Sequence, residues 1–212
     1  MAEQDRITRA KILDVALAIS DERGLDAVSM RAVAERVGVT PMALYPHIGS
    51  KAALLDGIVD RMLGAFLPTA PGGDMPWQDR LRAVGTGARD LSRQHPAGFT
   101  LLFARPAVTT DAVTVVDLIY LALLDAGVPD DEVPRLERLF TTFCLGYAMS
   151  EINGRFGTMQ PDSRGERGHD HAPGHERLAS TLAEPVDWNR DYDADIEDLI
   201  ALVQRVAVRG NS

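Results

Sequence analysis

The sequence predicts an all-α protein, on three observations. In nearly every segment the apolar residues recur at three- and four-residue steps, the repeat that gathers side chains on one face of a helix. No run shows the sustained apolar–polar alternation of a half-buried strand. Hydroxyl residues open several of these segments and glycines close them, which is the chemistry of helix starts and stops. With 212 residues, 45% hydrophobic and 25% charged, the chain has the size and composition of one or two folded globular domains.

Taken in order, the first helix starts after Thr8 as N-cap, turns Ile12, Val15, Ala16 and Ile19 to one face, and ends before Gly24. The second starts after Ser29 and carries Met30, Val33, Ala34 and Val37 inward until Gly38 turns the chain. A third opens at Thr40-Pro41, a hydroxyl cap followed by a proline whose missing N–H has no helical partner to lose. Pro46 follows five residues later. Inside a helix it would cost ~3 kcal/mol, so the spacing predicts a stop at Tyr45 or Pro46, with His47 in the turn before Gly49. A fourth helix runs from Ser50 to about Phe66, with Leu55, Ile58, Val59, Met62 and Phe66 on one face.

The proline- and glycine-rich run PTAPGGDMP places a domain boundary between residues 1–67 and 68–212. The second part reads as longer, more apolar helices. Trp77, Leu81, Val84, Ala88 and Leu91 form one stripe, Phe99 to Phe103 a short buried piece, and Val113, Val116, Tyr120 and Leu123 another stripe. A helix from about Pro134 to Phe156 is apolar on two sides, with Leu136, Leu139, Phe140, Phe143 and Tyr147 on one and Cys144, Leu145, Ala148 and Ile152 on the other. The last helix, about Asp193 to Arg209, carries Ile196, Leu199, Ile200, Val203 and Val206. Between these two, residues 157–176 are polar and rich in glycine, and are expected to be mobile.

A net charge of −9 argues against a protein that coats nucleic acid indiscriminately, since that affinity comes from clustered cations. The acid is unevenly placed: residues 1–67 hold 8 Lys+Arg against 9 Asp+Glu, and the remainder 14 against 22. No apolar run approaches the roughly 18–20 residues of a membrane span, and the polar start lacks the apolar core of a signal peptide, so a cytoplasmic protein is expected. The single cysteine, Cys144, allows no internal disulfide and sits in an apolar run, as a packed thiol does.

From Ser29 to Lys51 the order helix, glycine turn, short helix has the spacing of a helix-turn-helix DNA reader. That accounts for so short a third helix, because only its first turn or two enters the major groove. Residues 8–66 then resemble the N-terminal domain of the TetR family of bacterial transcriptional regulators. The resemblance rests on the ordered set Gly24-Leu25, Ser29-Met30-Arg31 with Val33-Ala34, Val37-Gly38-Val39, Leu44-Tyr45, His47, and Ser50-Lys51 with Leu54-Leu55. The remainder is similar in layout, and the segments LFTTFCLGYAMSEI and DIEDLIALVQRV resemble that family's two dimer helices.

The resemblance implies an N-terminal three-helix DNA-binding domain and a C-terminal helical domain for ligand binding and dimerisation. It implies a homodimer on double-stranded operator DNA, released by a small-molecule effector. Tyr45 and Lys51 would touch phosphate, Thr40, Pro41, Met42 and Ala43 would face base edges, and Thr8, Ser29, Met30 and Arg31 would meet the DNA backbone. The chemistry agrees: Lys51, one of two lysines in the chain, opens a helix whose N–H groups can share a phosphate with it, and Met42 and Ala43 suit a thymine methyl. His47 reads equally as a DNA contact or a packing residue. Pro46 departs from the family pattern, which more often has an aromatic or basic side chain there.

The same resemblance implies an apolar pocket lined from Trp77, Phe99, Phe103, Tyr120, Phe140, Phe143 or Tyr147, each of which reads more simply as core. His169, His171 and His175 could hold a divalent metal, yet their spacing matches no structural zinc pattern and a solvated loop explains them as well. A metal-responsive or protein-interaction module without DNA binding is the alternative reading. GTGARD lacks the third glycine of a dinucleotide loop and there is no nucleophile elbow, so neither a cofactor nor an enzyme is expected.

Overall fold

The structure is a computed structural model that describes residues 7–105, 109–155 and 173–210. Every regular element among the described residues is helical. Helix α1 spans Arg9–Arg23, α2 Met30–Val37, α3 Tyr45–Ile48 and α4 Lys51–Phe66. The hydroxyls of Thr8, Ser29 and Ser50 cap α1, α2 and α4 by accepting from the N–H groups of Lys11, Ala32 and Ala53. Gly24 and Gly38 end the first two helices at φ of 81° and 83°, backbone that only glycine adopts cheaply. A 3₁₀ turn at Leu25–Ala27, not anticipated from sequence, joins them.

Beyond a 3₁₀ turn at Leu67–Thr69, α5 spans Trp77–Gln94, α6 Pro96–Phe99, α7 Leu101–Ala104, α8 Thr110–Asp125 and α9 Val133–Ile152. Helix α10 covers Pro173–Leu182 and α11 Trp188–Gly210. No helix among the described residues is long and apolar enough to cross a membrane.

Two cores hold these helices. Ile12, Ala16, Ile19, Val33, Leu44, Leu54, Ile58 and Met62 are fully buried in the first, which also takes in Phe99, Leu101, Ala112 and Ala148 from beyond the proline-rich run. The second joins α5, α8, α9 and α11 through Leu81, Leu123, Leu136, Phe140, Tyr192, Ile196 and Ile200. The N-terminal helices therefore sit on the C-terminal ones through shared packing.

Several expectations need correction. The piece from Phe99 to Phe103 is two short helices, and only its first aromatic is buried: Phe99 is inaccessible, while Phe103 is 52% exposed. Two residues apart on a helix point to different sides, and α7 turns Leu101 in and Phe103 out. On α8 the buried face runs through Ala112, Ile119 and Leu123, and Val113 is exposed. That helix is apolar almost all round, so periodicity alone does not select a face. The polar stretch expected to reach residue 176 gives way to α10 at Pro173, and the last helix begins at Trp188, five residues before Asp193.

Candidate nucleic-acid interface and ligand cavity

The reading element is built by local chain chemistry. At the end of α2, Gly38 N–H donates to the Glu35 carbonyl at 3.2 Å and Val39 N–H to the Ala34 carbonyl at 2.9 Å, the paired bonds of a left-handed glycine cap. The chain then enters Pro41–Leu44 as a 3₁₀ turn and continues as α3 through Ile48, with Gly49 as its end at φ 77°. The helical stub is thus longer than predicted. His47 lies in its last turn rather than in a loop after it.

The physical reason is the change of winding at Leu44. Pro46 falls in the first turn of α3, where an N–H has no acceptor within the helix, so its missing donor costs nothing there. Thr40 makes no side-chain cap bond, which leaves its hydroxyl free. Leu44 and Ile48, four apart, are buried and pin the stub to the first core. Met42 and Tyr45 project the other way, 74% and 45% exposed. Pro41, Pro46 and His47 are exposed as well, and Ala43 is half-buried.

The charges around this element are arranged for an anion. Lys11, Arg31 and Lys51 are exposed and have no carboxylate within ion-pair distance among the described residues. Neighbouring cations are already engaged: Arg36 with Glu22 at 2.5 Å and Arg61 with Asp14 at 2.5 Å. The first turns of α1, α2 and α4 contain no acidic residue, whereas those of α5 and α8 carry Asp79 and Asp111. A helix N-terminus without its own carboxylate keeps its partial positive charge for an outside phosphate. Met30 is buried against the first core, so of this residue only the backbone N–H at the start of α2 is left to meet DNA. Its hydrophobic side chain serves the core, as its spacing with Val33, Ala34 and Val37 predicts.

A cavity of about 140 Å³ opens between the two cores. Its walls come from α4 (Val59, Leu63, Phe66), α5 (Val84, Ala88, Leu91), Leu102 of α7 with Arg105 just beyond it, α8 (Ala112, Val115, Val116, Ile119) and α9 (Phe140, Thr141, Cys144, Leu145). That volume matches the room a single benzene-sized molecule occupies in a dry protein cavity. Of the seven aromatic residues singled out from sequence, Phe140 alone lines it.

Phe99 lies instead in the first core and Phe103 in solvent, while Trp77 and Tyr120 pack against the second core. Phe143 and Tyr147 belong to a separate aromatic cluster with Tyr192 and Trp188, in which the Tyr147 hydroxyl donates to the Trp188 carbonyl at 2.8 Å. Sequence reasoning missed the contribution of α4 and of Arg105. The three-and-four spacing of Val59, Leu63 and Phe66 was a usable signal, since those residues lie near the end of a helix whose beginning serves the reader. Arg105, a lone cation after an apolar run, was another.

Cys144 touches this cavity and is buried. Burial pushes its thiol up to about 12, against a smaller opposing effect of the Tyr192 hydroxyl, which donates to Sγ at 3.9 Å. His169 and His171 lie outside the described residues, as does the side chain of His175.

Residues 12–58 match the family model described as bacterial regulatory proteins, tetR family, and residues 81–172 match that of the tetracyclin repressor-like C-terminal domain. The HTH-type transcriptional repressor DrrR1 of Streptomyces coeruleorubidus is 27% identical over 69% of the chain, and that match spans 54% of the relative's own length. The crystal structure of the Streptomyces coelicolor protein ActR in complex with (S)-DNPA superposes with a TM-score of 0.78, covering 95% of this chain and 99% of that one at 23% identity, a likeness of fold. BioQ with its double-stranded DNA operator superposes with a TM-score of 0.61 at 25% identity, covering 84% of this chain and 99% of that one.

Proposed function

Because this chain belongs to the TetR family of bacterial transcriptional regulators, we propose that it is a ligand-responsive repressor that binds a palindromic operator as a homodimer and lets go when a small molecule enters its C-terminal domain. The observation that carries this is the sharing of α4. Its first turn offers the unpaired Lys51 beside the exposed face of α3, and its last two turns roof the apolar cavity. One rigid helix thus joins a reading surface to a chamber.

On this reading residues 1–67 are the reader and residues 68–212 the ligand and dimer domain. Tyr45 and Lys51 hold phosphate, Thr40, Pro41, Met42 and Ala43 meet base edges, and Thr8, Ser29 and Arg31 meet the backbone. His47, exposed in the last turn of α3, adds a donor near the groove edge, while Pro46 contributes none. The hydroxyls of Thr8 and Ser29 accept from their own helices and keep a proton to donate to a phosphate oxygen. Dimerisation through α9 and α11 is supported by the apolar side chains these helices leave at the surface, with Leu139 and Val208 exposed and Leu199, Leu202 and Val206 part-covered. Two readers then enter successive major grooves about 34 Å apart. A protein with this task works in the cytoplasm and carries out no catalysis.

The test is fluorescence anisotropy with the DNA upstream of the protein's own coding region, at low salt and with excess competitor. Saturable binding with one dimer per site is expected. Binding no tighter than to random duplex overturns the proposal, as does a monomer by sedimentation at micromolar concentration.

A further inference from the structure

The cavity and a polar tie between the two halves of the chain share one side chain. Arg105, which ends α7, is the only charged group among the described residues that line the cavity. Its Nη1 also donates to Oδ1 of Asp56 on α4. Asp56, Val59, Leu63 and Phe66 follow at steps of three, four and three, so they share one face of α4. The carboxylate stands toward the reader end of that face, and the three apolar residues roof the cavity. An apolar chamber with one guanidinium at its edge has the chemistry to recognise a carboxylate on a small apolar body. The planar guanidinium pairs in two-toothed fashion with such a group, and the chamber takes roughly one ring.

We propose that the effector is a small apolar carboxylic acid, aromatic in the simplest case, and that its carboxylate takes Arg105 away from Asp56. This rests on the repressor reading above and names the ligand class and the release step for it. Asp56 holds Arg105 through one hydrogen bond, so a carboxylate that engages two guanidinium nitrogens gains on the exchange, and burying the apolar body supplies the rest of the affinity. What changes is α4, which loses its polar tie to the end of α7 only five residues after Lys51. Asp56 is 40% exposed, so its freed carboxylate turns to water at little cost. The acid therefore binds better to the shape in which Asp56 has let go, and that difference in affinity is what any ligand needs to shift a conformational equilibrium.

Benzoate and benzamide, nearly equal in size and different in charge, are the probes, titrated calorimetrically into the full-length protein. The wild type is expected to bind benzoate at least about tenfold tighter than benzamide. Asp56→Asn, which frees Arg105, tightens benzoate several-fold, leaves benzamide unchanged and weakens the ligand-free protein on the upstream DNA fragment. Arg105→Met binds the two probes equally; should it fail to fold by circular dichroism, the Asp56→Asn shift decides alone. Equal binding of the two probes by the wild type, or no binding of either up to about 10 mM, overturns the proposal. So does a benzoate affinity untouched by Asp56→Asn. A wild type that binds the DNA fragment but not benzoate loses the ligand class and keeps the repressor; one that prefers benzoate but binds no DNA does the reverse.

Discussion

Arg89 on α5 and Glu151 on α9 lock together in a two-toothed ion pair inside the C-terminal domain, Nε to Oε2 at 2.6 Å and Nη2 to Oε1 at 2.9 Å. Arg93 adds a third bond to Oε1 at 2.7 Å, and the Arg89 guanidinium lies 4.9 Å from the centre of the Tyr192 ring. Arg89 is buried, so its charge depends on this partner. Glu151→Gln strands that charge and is expected to lower stability at pH 7 by roughly 2–3 kcal/mol in urea unfolding.

The same pair fixes a pH dependence. Burial alone would raise the Glu151 carboxyl, but the hydrogen bonds from Arg89 and Arg93 outweigh it and hold the group below the ordinary carboxylate range. A carboxyl depressed in the folded state adds stability above its unfolded value, ~4.3, and loses it as pH falls through the folded value. Wild type and Glu151→Gln should therefore differ more at pH 7 than at a pH below the ordinary carboxylate range. A gap of equal size at both pH values would refute the assignment.

Lys51 and Arg36 make a controlled comparison on the reader. Lys51 has no carboxylate partner among the described residues, whereas Arg36 is held by Glu22 through bonds of 2.5 and 2.6 Å. If Lys51 meets phosphate in each half of a dimer, Lys51→Ala removes two contacts and flattens the slope of log affinity against log salt by about 2. Arg36→Ala should leave that slope in place. Anisotropy titrations over a salt series separate the two, and an unaltered slope in Lys51→Ala removes it from the phosphate set.

Gly57 sits in the buried face of α4, where an added methyl would come within 2.3 Å of Leu13 Cδ2 and 3.1 Å of its Cγ. Helix propensity favours alanine over glycine by about 1 kcal/mol. Leu13 is itself buried and must change its rotamer to make room, and overpacking of a filled core costs about 1–3 kcal/mol. Gly57→Ala is thus expected to unfold at lower temperature than wild type. A raised melting temperature would mean that α1 and α4 pack less closely than they do here.

These residues also show what was legible in the sequence. The caps at Thr8, Ser29 and Ser50 and the turns at Gly24 and Gly38 depend on chain neighbours only, and all five sit where local chemistry places them. Pro46 misled because its effect depends on the winding before it: a 3₁₀ turn at Pro41–Leu44 puts it in a first turn rather than a last one. Met30 is legible as core from its spacing with Val33, Ala34 and Val37, and that burial leaves only its backbone for the DNA contact the resemblance implies. The cavity was hardly legible at all. Its walls are set by which sides of α8 and α9 face inward, and helices apolar on more than one side do not encode that locally. Large aromatics were the natural guess. The chain instead stacks Phe143, Tyr147 and Tyr192 together and lines the chamber mainly with valine, leucine and alanine.

Cys144 offers a probe of that chamber because it is the single cysteine of the chain and lines the cavity. Burial pushes its thiol up to about 12, so at pH 8 only about one molecule in ten thousand carries the thiolate, against roughly a quarter for an ordinary thiol near 8.5. Since the thiolate is the reacting form, a disulfide reagent should label the native protein about a thousandfold more slowly than the urea-unfolded chain. Raising the pH to 9.5 should speed native labelling by more than tenfold, while the unfolded chain, already past its midpoint, gains only about fourfold. Native labelling within tenfold of the unfolded rate at pH 8 would place the thiol in contact with water, and with it one wall of the chamber.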